Sequence, residues 1–164
     1  MTLDIYMGNR AEDFATPPQF LKWVEDYFEV KFDLDAAASI HNKKAPDFIS
    51  KEMDSFKTDW YGNVWLNPPY GAMIPKFIER AVEQIYSNCE SIYILVPART
   101  DTKWFAYACE HASRIYFLQG RLNFNHPSSV KNVNAPYASI LIIFDDYKPL
   151  DMLRHVKAPL EARR

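Results

Sequence analysis

A short apolar run, Val64-Trp65-Leu66, stops at Asn67-Pro68-Pro69-Tyr70. The run reads as a buried strand, and a turn signal, Tyr61-Gly62-Asn63, precedes it. Neither proline can donate a ladder hydrogen bond, so the strand ends there. Asn67 is therefore a polar amide at the point where a strand leaves its sheet. In open α/β sheets the carboxyl ends of the strands are where ligands bind. The tetrad puts there an amide oxygen, a carbonyl fixed by proline and an aromatic face. These are the groups needed to hold an exocyclic amino group and stack on a planar base. The plainer reading is a proline-rich turn with a Tyr plug; the full tetrad behind an apolar strand favours the functional one.

The rest of the chain supplies an α/β frame. Thr16 reads as a helix N-cap, with Pro17 at the first helical position and Gln19 completing a capping box. Phe20, Leu21, Trp23, Val24, Tyr27 and Phe28 give that helix an apolar face. Val30, Phe32 and Leu34 alternate as a first strand, with Asp35 at its end. Pro75 opens a second helix that buries Phe77, Ile78, Ala81, Val82 and Ile85. Residues 92–96 form a continuous apolar strand of the kind buried in a parallel sheet. Asp101 or Thr102 caps a helix carrying Trp104, Phe105 and Ala108. Residues 115–118 and 139–144 are the last strands. Alternation of strand and helix predicts a sheet with helices on both faces. Residues 1–14 read as an irregular arm and 147–164 as a peripheral helix or tail of the same single domain, 1–164.

Composition narrows the class. At 164 residues the chain can bury a real core. No run is long or apolar enough to cross a membrane, and residues 1–10 lack a signal peptide's apolar centre, so a cytoplasmic protein is expected. Cys89 and Cys109 form no disulfide framework, and the four histidines show no metal-ligand pattern, so no metal is expected. The net charge of −2 is uneven: residues 1–60 hold 7 Lys and Arg against 12 Asp and Glu, residues 61–164 hold 12 against 9. Arg99, Lys103, Arg114, Arg121 and Lys131 face only Asp101 and Glu110 in residues 91–131, which suits either a phosphate-binding face or ordinary solvated charge. Nothing specifies an oligomeric state.

Several segments together resemble the small phage and prophage DNA N6-adenine methyltransferases, the phage Dam type. They are Thr16-Pro17-Pro18-Gln19, Leu34-Asp35-Ala36-Ala37-Ala38-Ser39, the unbroken run from Trp65 to Gly71, Val96-Pro97-Ala98-Arg99-Thr100-Asp101-Thr102 and Gly120-Arg121-Leu122. The fourth is the most family-specific; the tetrad alone also fits RNA and protein amide methyltransferases. The resemblance implies a Rossmann-like class I methyltransferase sheet. It also implies methyl transfer from S-adenosylmethionine to the N6 amino group of adenine in DNA, in a bacteriophage or bacterial setting of DNA methylation and restriction-modification.

It also implies roles for residues. Asn67, Pro68, Pro69 and Tyr70 would be catalytic. Asp35, Ala36, Ala37 and Asn67 itself would contact the cofactor; on the residues alone, Ala36-Ala37-Ala38 starts a helix that Asp35 caps. A Gly-x-Gly-x-x-Gly fingerprint is absent, since the chain has only Gly8, Gly62, Gly71 and Gly120. Thr16 and Pro17 would touch the cofactor's methionine part, beside their reading as a cap. Between Ser39 and Trp60 the chain is too short for the two further strand–helix units of the usual layout, so the sheet is expected to be truncated on that side. Phe48 is a candidate cover for the cofactor's adenine, and Asp54 or Asp59 for hydrogen bonds to that ring or to the ribose.

For the transfer, the Asn67 side-chain oxygen and the Pro68 carbonyl would accept the two N–H bonds of the adenine amino group and free its lone pair. Tyr70 would stack on a base flipped out of the duplex. Phe124 is either a second aromatic clamp or core. Arg99 and Lys103, on a polar loop at the same sheet edge, and Arg121 are candidate DNA contacts; Asp101 can simply cap the next helix. Two rivals stand beside this reading: an RNA or protein amide N-methyltransferase, and a non-catalytic DNA-binding protein on the same fold.

Overall fold

The computed structural model describes residues 15–124, 133–135, 137–146 and 153–157. The expected arm at 1–14 lies outside them. Helix α1 (Pro18–Phe28) is followed by strands β1 (Leu34–Asp35), β2 (Asp47–Phe48) and β3 (Gly62–Leu66). Helix α2 (Ile74–Ile85), strand β4 (Cys89–Pro97), helix α3 (Lys103–His111) and strand β5 (Arg114–Gln119) come next. The last elements are β6 (Asn123–Phe124), β7 (Val133–Asn134), β8 (Ser139–Asp145) and β9 (Leu153–Lys157).

Among the described residues the main sheet has seven strands in the order β2-β1-β3-β4-β8-β5-β9. Strands β2, β1, β3 and β4 run parallel; β8 is antiparallel to both its neighbours. β6 and β7 form a separate antiparallel pair. Alternate side chains point to opposite faces of a strand, and both faces here are covered. Val64, Leu66, Ile92, Ile94 and Val96 pack with Phe77, Ile78 and Ala81 of α2 and Ala108 of α3. Trp65, Tyr93 and Leu95 pack on the other face with Phe20 and Val24 of α1. That is why β4 reads as an uninterrupted apolar run. The Rossmann-like sheet with helices on both faces is as expected, and so is its truncation: between Ser39 and Trp60 the only strand is the two-residue β2.

Three local expectations are corrected. Thr16 does not cap α1. The N-cap is Pro17, in extended backbone (φ −59°, ψ 132°), with no side-chain cap bond. The reason is Pro18: a residue that precedes proline is pushed out of the helical region, so the helix starts one residue later than the capping box suggests. Second, β1 is only Leu34–Asp35; Val30 and Phe32 are buried against the α1 side of the sheet instead of extending the strand. Third, the segment expected to be a peripheral helix or tail contains β9, which adds a parallel edge strand beside β5. Among the described residues no helix is long and apolar enough to cross a membrane.

Candidate active site

The carboxyl ends of β1 and β3 lie side by side. Asp35 is the register partner of Trp65, and the Ala36 N–H donates to the Trp65 carbonyl at 3.0 Å. Asn67, the first residue past β3, is thereby next to Asp35, Ala36 and Ala37 across one strand spacing. Phe48, half-buried, is the register partner of Asp35 on the other side. Three of the expected cofactor segments thus share one sheet edge.

A fourth arrives from before α1. The Asn67 Nδ2 donates to the Thr16 Oγ1 at 3.3 Å, and Thr16 is only 1% exposed. Having lost its expected capping role, the Thr16 hydroxyl is committed to the tetrad. Pro17, buried, follows as the N-cap.

Asp35 is a buried carboxyl, 3% exposed. Its Oδ1 accepts from the Ala37 N–H at 3.3 Å and its Oδ2 from the Lys44 N–H at 2.9 Å. Burial pushes its pKa up from 3.8 to about 6, and the two backbone N–H groups restrain the rise. A carboxylate has about four acceptor sites; two are occupied by backbone, and the deficit of stabilisation favours a positive group alongside. The Lys44 ammonium is itself pulled down by burial, with the Asp35 charge opposing that. The donor set suits a cationic ligand with a planar adenine: a buried carboxyl, small alanines that let backbone approach, and the Phe48 ring.

The wall beyond β1 is built by residues 50–60. The Ser55 hydroxyl donates to the Ala36 carbonyl. The Ser55 carbonyl in turn accepts from Trp60 Nε1 at 3.1 Å and Arg80 Nε at 3.3 Å. The Trp60 N–H is held by Gln84 Oε1 at 2.7 Å. Asp54 pairs with Lys57 at 3.1 Å and Asp59 with Arg80 at 3.6 Å, so both carboxylates named for the ribose have local partners.

Tyr70 packs against both core clusters, its hydroxyl oxygen is buried, and that burial pushes the phenol well above its usual range. Phe124 is 1% exposed and meets Tyr70 edge-on, ring centroids 6.3 Å apart at 85°. Phe124 is thus core that steadies Tyr70 from the side; it does not face it across a base-sized slot. Gly71, at φ +101°, turns the chain away after the tetrad and toward α2.

The cationic candidates lie on the segments after β4 and before β6. β4 continues past Ile94, the partner of Leu66, to Pro97. Arg99 lies just beyond, exposed, gripping Asp101 through two bonds of 3.1 and 3.3 Å with its guanidinium 5.7 Å from the Tyr137 ring centroid. Of the two suggested caps for α3, Thr102 serves: its Oγ1 accepts from the Phe105 N–H at 3.3 Å. Lys103 is exposed at the first turn of α3. The Arg121 Nη1 donates to the Ala135 carbonyl at 3.2 Å.

Sequence reasoning missed Lys44 and Ser55. Lys44 acts through its backbone N–H, which has no side-chain signature, and Ser55 is an ordinary serine in a polar stretch. Only the shortness of residues 39–60 hinted that this segment folds back on β1.

Comparison with known proteins places this geometry in context. A family described as DNA N-6-adenine-methyltransferase (Dam) matches residues 7–160. The DNA N-6-adenine-methyltransferase of Haemophilus phage HP1 is 32% identical over 144 residues, 86% of this chain and 83% of that protein. The DNA N-6-adenine-methyltransferase of Escherichia phage T1 is 36% identical over 124 residues, 71% of this chain but about half, 51%, of the T1 protein's length. A solved structure from Pyrococcus horikoshii, provisionally assigned as an RNA methyltransferase, covers 89% of this chain and 97% of its own, at a TM-score of 0.48 and 14% identity.

Proposed function

Because the chain belongs to the DNA N-6-adenine-methyltransferase (Dam) family, we propose that the joined ends of β1 and β3 are its catalytic centre and that S-adenosylmethionine is its methyl donor. The chain is an adenine-specific DNA methyltransferase, acting on the N6 amino group. Family membership decides against the RNA, protein and non-catalytic readings. The observation that carries the assignment of the centre is the Asn67 amide, hydrogen-bonded to Thr16 and set one strand from Asp35.

When bound, S-adenosylmethionine would supply a methyl group on a cationic sulfur; transfer to N6 would release S-adenosylhomocysteine and a proton to solvent. Asp35 faces the ammonium group of the donor, with Ala36 and Ala37 giving backbone access and Thr16 and Pro17 bordering its methionine part. Phe48 covers the adenine ring of the donor. Asn67 Oδ1 and the Pro68 carbonyl accept the two N–H bonds of the target amino group. They draw the nitrogen toward a tetrahedral shape and expose a lone pair that the ring otherwise delocalises. Pro69 fixes the loop, and Tyr70 stacks on the base. A base inside a duplex cannot reach this edge, so the target is flipped out. No residue has to act as a base of shifted pKa; alignment and charge placement do most of the catalysis. Arg99, Lys103 and Arg121 hold DNA phosphates, with Phe124 behind Tyr70.

The test is methyl transfer from labelled S-adenosylmethionine to unmethylated duplex DNA, with product nucleosides identified by mass. N6-methyladenine that disappears in Asn67→Ala, with cofactor binding retained, supports the centre. Full turnover in Asn67→Ala sinks it.

A further inference from the structure

We infer that Thr16 is a positioning residue for methyl transfer: its hydroxyl anchors the Asn67 amide. This deepens the reading of Asn67 above and rests on it.

A side-chain amide turns readily about its last bond unless a partner holds it, and a hydroxyl can hold it by accepting from Nδ2. With Nδ2 donating to the Thr16 Oγ1 at 3.3 Å, Oδ1 is turned to the opposite side of the amide. Only that orientation offers an acceptor to an amino group. The flipped amide would set donor against donor, and a substrate N–H would lose its partner.

Thr16 is well placed to impose this. It precedes Pro17, which restricts its backbone to extended conformations. Its branched side chain is stiff about χ1, and it is 1% exposed. The hydroxyl is not diverted to the helix, because α1 has Pro17 as its N-cap and no side-chain cap bond. The two partners are also fixed from behind. Phe20, in the first turn of α1, meets the ring of Trp65 in β3 edge-on, centroids 6.5 Å apart, and both are buried. The segment that carries the hydroxyl and the strand that carries the amide are thus locked together by core packing.

Thr16→Val keeps the shape and removes the hydroxyl; Thr16→Ser keeps the hydroxyl. Both are compared with the wild type in steady-state methylation of unmethylated duplex DNA, with thermal melting run in parallel. Thr16→Val is expected to lower kcat about tenfold to a hundredfold, with the KM for S-adenosylmethionine within about threefold of wild type. Thr16→Ser is expected to recover kcat to within about threefold. An unchanged kcat in Thr16→Val overturns the inference. So does a loss confined to the KM for S-adenosylmethionine, or a Thr16→Ser protein no more active than Thr16→Val at equal melting temperature. Asn67→Ala, assayed alongside, separates the two readings. If it retains full turnover, Asn67 itself has been misassigned. If it is inactive while Thr16→Val is fully active, only the role of Thr16 falls.

Discussion

Asn67 and Thr16 are separated by 51 positions in sequence, yet the amide nitrogen of one lies 3.3 Å from the hydroxyl of the other. The bond joins the segment that enters α1 to the loop that leaves β3. Asp35, Ala36 and Ala37 come in from a third segment along the β1–β3 ladder. The proposed centre is assembled from distant segments and exists only in the folded chain, and its parts can be tested one at a time.

Asn67→Ala removes the amide oxygen proposed to polarise the target amino group and leaves the β1 edge untouched. Turnover is expected to fall by about a hundredfold or more, the scale seen when one preorganised polar group is lost from a transition state. Affinity for S-adenosylmethionine should stay within about fivefold of wild type, because the interaction with the amino group is made by substrate and not by cofactor. Calorimetric titration of the cofactor beside single-turnover methylation reads the two separately. Equal losses in both would assign Asn67 to cofactor binding instead.

Burial of Asp35 predicts a pH dependence. Its folded pKa, about 6, is above the ordinary 3.8 because burial disfavours the charged form. The folded state therefore holds a proton that the unfolded state has lost across that window. Stability from this group is full below about pH 4 and declines as pH rises through 6, a loss on the order of 3 kcal/mol. The wild-type minus Asp35→Asn difference in urea unfolding, followed from pH 4 to 7.5, should show that slope. Cofactor binding should run the other way: a cation favours the ionised carboxyl, so wild-type affinity for S-adenosylmethionine rises from pH 5 to 7.5 and that rise is lost in Asp35→Asn. A flat affinity profile in the wild type would show that Asp35 does not face the donor's charge.

Much of this was legible in the sequence, and the reasons are specific. The run at Val64-Trp65-Leu66 announced a strand buried on both faces, and the two prolines behind it announced where the strand stops, because both signals are local. The truncation was legible from arithmetic on residues 39–60. The role of Thr16 was not. A capping box describes a single turn, and the pattern ignored the constraint that Pro18 puts on Pro17. What Thr16 does is decided by a partner 51 positions away. The hold of the Lys44 N–H on Asp35 was equally hidden, since backbone donors look alike at every position. Strand β9 has no apolar run to mark it; the Leu-Arg-His-Val-Lys stretch gains its place only from the edge of β5.

Arg99 is gripped by Asp101, and both are exposed. Such a pair holds its partners weakly and yields to a phosphate. Arg99→Ala should weaken binding of any duplex sequence and reduce the slope of log affinity against log salt by about 1. Asp101→Asn should tighten binding about twofold to fivefold at low salt by releasing the guanidinium. Fluorescence anisotropy with labelled duplex between 50 and 200 mM salt, a range over which phosphate contacts register strongly, measures both. An unaltered slope in Arg99→Ala would remove Arg99 from the DNA interface.

Gly62, at the amino end of β3, is required by both conformation and space. Its φ is +62°, and a Cβ there would sit 2.4 Å from the Asp33 Oδ2. That oxygen accepts the Asn63 N–H at 2.8 Å, so it cannot swing away without giving up the bond that starts the strand. At Gly71, by contrast, φ is +101° with nothing within 4 Å of the added Cβ, and only the backbone objects. Gly62→Ala is expected to destabilise by about 1–3 kcal/mol, a drop of roughly 3–10 °C in Tm for a chain of this size. Gly71→Ala should fall at the lower end of that range in stability while disturbing turnover more, since it follows Tyr70 directly. In Gly62→Ala the opposite end of β3 keeps its geometry, so kcat per folded molecule should hold. Urea unfolding with activity measured on the folded fraction checks both halves. Wild-type stability in Gly62→Ala would mean that the turn before β3 accommodates a side chain at no expense to the Asp33–Asn63 bond.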